Sequence, residues 1–131
     1  MAGTFKFELV SPERIVLSSE DTVEVQLTGS EGDFTVLAGH APVISTLRPG
    51  IVTVATAGGK KRFFVNGGFV EVDPAHVTVL TQAAFDTAEA AADVVAKAVS
   101  AAEAELAGAK TDDARLMAQS ALDGLKSLRA A

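Results

Sequence analysis

The chain of 131 residues contains no cysteine, no tryptophan and no tyrosine, and only two histidines, His40 and His76. Without cysteine there is no disulfide framework, no thiol nucleophile and no thiolate metal site. Without tyrosine or tryptophan there is no amphipathic aromatic surface of the kind that lines wet binding sites. A metal site wants several His, Asp or Glu ligands at helical or hairpin spacing; two isolated histidines do not supply one, and no metal is expected. Positive charge is also scarce: 11 basic residues stand against 17 acidic ones, giving a formal charge of -6. The basic residues are interspersed, which excludes a nucleic-acid footprint and a polybasic anchor for an anionic membrane. No apolar run approaches the roughly 18 residues of a membrane span. The opening MAGTFKFELV has neither a signal-peptide core nor an Arg-rich transit pattern. The expectation is a soluble chain that stays where it is made and is held at any membrane by another subunit.

What is present falls into two grammars that change near Phe85. Before it the chain is rich in Val, Thr, Phe and Gly; after it Ala dominates. That is a switch from strand formers to helix formers. FKFELV and TVEVQL alternate apolar and polar residues, with Val23, Val25 and Leu27 on one face. IVTVAT and KRFFVN flank Gly58-Gly59, which predicts a tight hairpin turn. Asn66-Gly67-Gly68 marks a further turn, and Asp73-Pro74-Ala75 separates GFVEV from HVTVL. Strands this short and closely spaced predict a β-sandwich, a flattened barrel of about ten strands. Phe5, Phe7, Phe34, Phe63, Phe64 and Phe69 are expected to supply its aromatic volume.

The second grammar predicts a C-terminal antiparallel helical hairpin. Asp86 and Glu89 have capping-box spacing. Ala88, Ala92, Val95, Val99, Ala102 and Leu106 then fall on one helix face. Gly108 suits the helix end, and Thr111 caps a second helix whose seam is Ala114, Ala118, Ala121, Leu125 and Leu128. Alanine seams bury little area, and Gly124 inside the second helix costs about 1 kcal/mol relative to Ala. The expectation is a hairpin that is helical yet weakly held. The domains are read as 1–84, the sandwich, and 85–131, the hairpin.

Catalytic readings find little support. A Walker loop ending in Gly59-Lys60 would need Gly where Val54 stands and Ser or Thr where Lys61 stands. Gly29, Gly32 and Gly39 lack dinucleotide-loop spacing. His40 could serve as a general base only with a nucleophile and an orienting carboxylate, and Ser45 and Asp33 are not convincingly placed by sequence. Glu103 and Glu105, two apart on a helix, do not share a face. No cofactor and no nucleotide-binding site is expected, and the chain is read as a non-enzyme.

The stretch GSEGDFTVLAGHAPVISTLRPG, Gly29 to Gly50, resembles the signature of the epsilon subunits of bacterial F-type ATP synthases, called delta in mitochondrial naming. It has a glycine-bounded acidic turn, Gly-His-Ala-Pro, an apolar strand, then Leu, a basic residue and Pro-Gly. FELVSPERIVLS and FFVNGGFVEVDPAHVTVLTQ match two further blocks, so the resemblance covers essentially the whole chain. It implies a non-catalytic central-stalk subunit that links gamma to the ring of c subunits and couples proton flow to ATP synthesis. Its place would be peripheral, on the cytoplasmic face of the bacterial plasma membrane, held by the complex. Residue by residue it implies a c-ring contact at Glu31, Gly32 and Asp33. It implies a gamma contact at His40, Ala41, Pro42 and Val43. Arg115, Lys126 and Arg129 would be contacts of the hairpin to the alpha/beta catalytic head, for weak inhibition of ATP hydrolysis. Some members bind ATP with an acidic residue followed by Arg-Ala on the first helix; here Asp93 precedes Val94-Val95-Ala96, and Gln119 stands one turn after Arg115. Triphosphate recognition calls for several cationic donors. The alternative is a stand-alone binding module that senses a nucleotide or another small ligand.

Overall fold

The computed structural model of the chain describes residues 3–129. Among the described residues nine strands precede two helices. β1 (Phe5–Val10) pairs antiparallel with the first part of the long β2 (Ile15–Gly29). β2 turns back into β3 (Gly32–Leu37) and then pairs with β5 (Gly50–Thr56), which forms a hairpin with β6 (Gly59–Val65). β4 (Val43–Leu47) pairs with β7 (Gly68–Val72), and β7 pairs with β8 (His76–Leu80). β8 runs parallel to β1, and β9 (Ala84–Asp86) completes the edge beyond β6. The order β1-β8-β7-β4-β2 closes on itself through the β1–β2 pairing, which makes the flattened barrel that the short alternating segments predict. β9 runs across the 84/85 junction and so ties the sandwich to the helical hairpin.

Alternation along strands such as β1, β7 and β8 puts one face inward. Phe5, Phe7, Leu9, Val25, Leu27, Val36, Val52, Val54, Phe63 and Val79 are among the residues of one buried cluster between the layers. Two features depart from simple alternation. A bulge at Val23 lets Thr22 and Glu24 pair with adjacent residues Thr56 and Ala55. The extra residue shifts the phase, so Thr22 is fully buried and Val23 only half-buried. The Thr22 hydroxyl is satisfied by donating to the Ser19 Oγ at 3.1 Å. The β5–β6 turn is Ala57-Gly58, one residue earlier than Gly58-Gly59, because Thr56 pairs with Gly59.

The phenylalanines divide. Phe5, Phe7 and Phe63 are in the inter-layer core, with Phe34 packed at its margin. Phe64 follows Phe63 on the strand, so it points to the opposite face, where it stacks at 5.4 Å on Phe85 beneath the helices. Phe69 lies on an outer sheet face and is 39% exposed.

α1 (Ala92–Gly108) starts later than the capping-box spacing predicts. Asp86 instead accepts from the Ala88 N–H at 2.9 Å in a turn after β9, and Ala91 caps the helix with no side-chain bond. Ala88 therefore lies outside the helix. α2 (Asp112–Arg129) begins as predicted, the Thr111 hydroxyl accepting from the Ala114 N–H at 3.0 Å. The helices pack a second cluster of Val99, Ala102, Ala121, Leu122 and Leu125 onto Phe64, with Ile51 and Phe85 beside it. Ala118 is buried too, whereas Ala92 and Ala114 are exposed. Alanines on both sides leave a cavity of about 200 Å³ bounded by Phe64, Phe85, Ala98, Ala102 and Ala121. Among the described residues no helix is long and apolar enough to cross a membrane.

Candidate functional site

The first surface is the tip of the β2–β3 hairpin. Gly29 pairs with Gly32 across the two-residue turn Ser30-Glu31. A Cβ on Gly29 would stand 2.6 Å from the Gly32 carbonyl oxygen and 2.9 Å from the Phe34 ring, so only glycine fits. Gly32 has φ +141°, a conformation side chains rarely adopt. The Ser30 N–H donates to the Thr46 carbonyl at 2.9 Å, and the Thr46 hydroxyl to Ser30 Oγ at 2.8 Å. Arg48 reaches the tip from below. Its Nε donates to the Gly29 carbonyl at 2.9 Å and its Nη2 to Asp33 Oδ1. Asp33 is thus paired. Glu31 is exposed, and among the described residues no cation is in ion-pair distance of it.

The second surface lies beyond the end of β3. Gly39 N–H donates to the Pro74 carbonyl at 2.9 Å and His40 N–H to the Leu37 carbonyl at 3.2 Å, which fixes the loop. His40 Nδ1 is 2.7 Å from the Ala41 carbonyl. A carbonyl only accepts, so Nδ1 carries the hydrogen. Ala41 and Pro42 are exposed and Val43 is half-buried. Next along β4, Ile44 is 74% exposed and lies opposite Glu71, two steps from the Thr46–Phe69 pair. The strip expected from sequence ends at Val43; Ile44, an apolar residue at an outward position of β4, adjoins it. Because β3 separates the acidic tip from this loop, the two surfaces lie at opposite ends of a six-residue strand, roughly 17 Å apart. Neither Ser45 nor Asp33 is engaged with His40: Ser45 Oγ donates to the Thr46 carbonyl and Asp33 holds Arg48.

The third surface is the hairpin. Arg115 Nη1 donates to Asp112 Oδ1 at 2.9 Å on an exposed face of its own helix. Lys126 is exposed. Arg129 ends α2, and its side chain lies outside the described residues. The opposite side of α2 is seated on the segment after Arg48. Ser120 Oγ donates to the Pro49 carbonyl at 2.6 Å. A Cβ on Gly124 would stand 3.1 Å from the Gly50 Cα. Gly124 is therefore a point of close approach between helix and strand, and its propensity cost is the condition of docking. Sequence alone does not reveal the contacts of Arg48, Ser120 and Gly124; the one cue is a glycine inside a helical pattern.

One polar turn surrounds a carboxylate with donors. Asp73 Oδ1 accepts from the N–H groups of Ala75 and His76, each at 2.8 Å, and lies 3.4 Å from His76 Nδ1. The Ala75 N–H first, then the His76 N–H and ring, hold the Asp73 carboxyl below the ordinary carboxylate range. Among the described residues no group of three or more His, Asp or Glu is placed to hold a metal ion.

The class the fold defines is a closed β-sandwich followed by a small C-terminal helical hairpin. Residues 4–87 match the family model described as ATP synthase, Delta/Epsilon chain, beta-sandwich domain. The chain is 46% identical over 130 residues to an ATP synthase epsilon chain of Parvibaculum lavamentivorans, covering 98% of both chains. It is 44% identical over 132 residues to that of Mesorhizobium japonicum, covering 100% of this chain and 97% of the relative. Among solved structures it is similar to a chain of the Euglena gracilis mitochondrial ATP synthase, in a structure of OSCP, F1 and c-ring. The TM-score there is 0.72 at 27% identity, over 99% of this chain and 82% of that one. A chain of the Tetrahymena thermophila mitochondrial ATP synthase central stalk and c-ring shares the fold, with a TM-score of 0.63 at 15% identity over 94% of both. The chain belongs to the epsilon-chain family of ATP synthases. That family, and not a self-contained ligand-sensing module, is what it matches over its length.

Proposed function

We propose that this chain is the epsilon-type rotor subunit of a proton-translocating F-type ATP synthase, joining gamma to the c ring and carrying torque without chemistry of its own. The observation that carries the reading is similarity to ATP synthase epsilon chains over 98% of this chain and of its relative. The surfaces are assigned by their chemistry. The exposed acidic tip at Glu31, Gly32 and Asp33 suits polar or basic loops of the c ring, where opposite charge steers association more than it adds affinity. The rigid strip His40, Ala41, Pro42 and Val43, continued by Ile44, suits an apolar face of gamma. The spacing of the two along β3 lets one small domain engage both partners at once. Arg115, Lys126 and Arg129 become contacts to the catalytic head when the hairpin leaves its seat, for weak inhibition of hydrolysis. The complex holds the chain peripherally at the cytoplasmic face of the plasma membrane.

The test is reconstitution. Membranes stripped of this subunit should regain ATP-driven proton pumping with the wild-type chain. Ile44→Asp should weaken co-purification with gamma by about a hundredfold or more, the effect of burying an unpaired charge at a contact. Retention of the chain in complexes lacking gamma and the c ring, with no dependence on either surface, would sink the assignment.

A further inference from the structure

We propose that Arg48 is the positioning residue of the acidic tip. It holds the β2–β3 turn in one conformation and neutralises Asp33. The tip then presents Glu31 as its single free carboxylate, to one cationic or hydrogen-bond-donating group of the partner.

The geometry makes Arg48 the meeting point of three elements. Its backbone N–H donates to the Thr28 carbonyl at 2.8 Å, and its carbonyl accepts from the Thr28 hydroxyl at 2.8 Å. The backbone is thereby locked to β2 two residues before the turn. Immediately after it, Pro49 fixes φ, and its carbonyl is held by Ser120 of α2. A side chain rooted on such a backbone loses less freedom in reaching a fixed target. The planar guanidinium then spans two acceptors on different residues, the Gly29 carbonyl and the Asp33 carboxylate, one at each base of the turn. Lysine presents a point charge and cannot make that pair in the same plane. The Arg48 side chain is 26% exposed and Asp33 73% exposed. The buried half of the clamp is therefore the Gly29 contact, which sets conformation, and the exposed half is the Asp33 contact, which sets charge. Glu31 sits at the apex, beyond reach of either.

The consequence is chemical. A tip with two free carboxylates would select a dibasic partner loop; a tip with one selects a single donor and tolerates a polar amide as well as a cation. This part of the inference rests on the c-ring contact proposed above. The conformational part does not, and the experiment separates them.

In the isolated full-length chain, the Ser30 amide, bonded to the Thr46 carbonyl, reports the turn, and the Asn66 amide, bonded to the Ala83 carbonyl, is the control. Arg48→Gln should speed hydrogen exchange at Ser30 by roughly three- to tenfold, the worth of a partly exposed charge-assisted bond, and leave Asn66 alone. Arg48→Lys should fall between. Asp33→Asn should move Ser30 less than Arg48→Gln, because the Gly29 contact survives. In the assembled complex, Glu31→Gln should lower ATP-driven proton pumping more than Asp33→Asn does. Unchanged Ser30 exchange in Arg48→Gln overturns the clamp. Equal losses of pumping in Glu31→Gln and Asp33→Asn overturn the single-carboxylate assignment. Faster Ser30 exchange together with pumping indifferent to both carboxylates supports the clamp and removes the c-ring contact from the tip.

Discussion

Gly124 is where helix propensity and tertiary packing oppose each other, so Gly124→Ala separates them. In the helix alone, Ala is favoured over Gly by about 1 kcal/mol. In the docked hairpin the new Cβ would meet the Gly50 Cα at 3.1 Å and the Ile51 nitrogen at 3.6 Å. Carbon atoms prefer about 3.5–4.0 Å, so the helix must retreat by a few tenths of an ångström. The strand cannot yield in its place, because Gly50 is buried and is held in the sheet by its pairing with Val65. Overpacking of this kind costs about 1–3 kcal/mol. The two terms act on different equilibria. If α2 stays helical when it undocks, the propensity gain cancels from the docking equilibrium, which then carries the whole clash. Docking should weaken by roughly five- to one-hundred-and-fifty-fold. A peptide of residues 88–131 should meanwhile gain helicity from the same substitution. The assay is a pair of spin labels, one at Lys61 on β6 and one at Lys110 in the helix–helix turn, read as a distance distribution. Wild type should give a single docked distance, and Gly124→Ala a second, longer population. A Gly124→Ala chain that remains wholly docked and melts at higher temperature would refute the reasoning, since the seat would then have slack.

The same packing sets other expected outcomes. Ending the chain at Thr87 should leave the inter-layer cluster intact and urea unfolding cooperative, at a cost of about 1–3 kcal/mol for re-exposing Phe64; a broad, non-cooperative transition would show that the helices belong to the core. Ala98→Leu should fill part of the cavity beneath the hairpin and stabilise docking by about 1 kcal/mol, seen as slower hydrogen exchange along α1 without change in the strands. Asp73 bears on pH. Its carboxyl is held below the ordinary range, so its contribution is present above the unfolded value near 4. That contribution is lost as pH falls through the lower folded value. Melting curves of wild type and Asp73→Ala should therefore differ at neutral pH and converge in acid, and convergence on raising the pH would reverse the assignment.

Local chemistry is legible in the sequence where one element decides it. Alternation marks strands such as β1, β7 and β8, Thr111 marks the start of α2, and the glycine-bounded turn around Glu31 has the geometry its residues demand. The features that stay hidden need two elements at once. The bulge that buries Thr22 depends on the register of β2 against β5. Phe63 and Phe64 look alike in a row, and only the helices packed outside decide that the second is buried as well. The Asp86 cap is drawn to the turn after β9 because that strand pairs with β6 and delays the helix. The acidic tip is visible as a motif, yet the Arg48 contact that halves its free charge links positions far apart in the chain.

The parallel pairing of β1 with β8 joins Lys6 to His76 and Val10 to Leu80, the first strand of the sandwich to nearly its last. Contacts between such distant segments slow folding, because loop-closure entropy is paid before they form. As the chain is synthesised, β1 can rest on β2 early, but the barrel closes only once β8 has emerged. The outward strip of Ile51 and Phe64 stays bare still longer, until α2 has been made, and for that interval it is the surface most open to aggregation. The hairpin is thus also the sandwich's last-made cover, and a nascent chain stalled before it would expose that strip to chaperones.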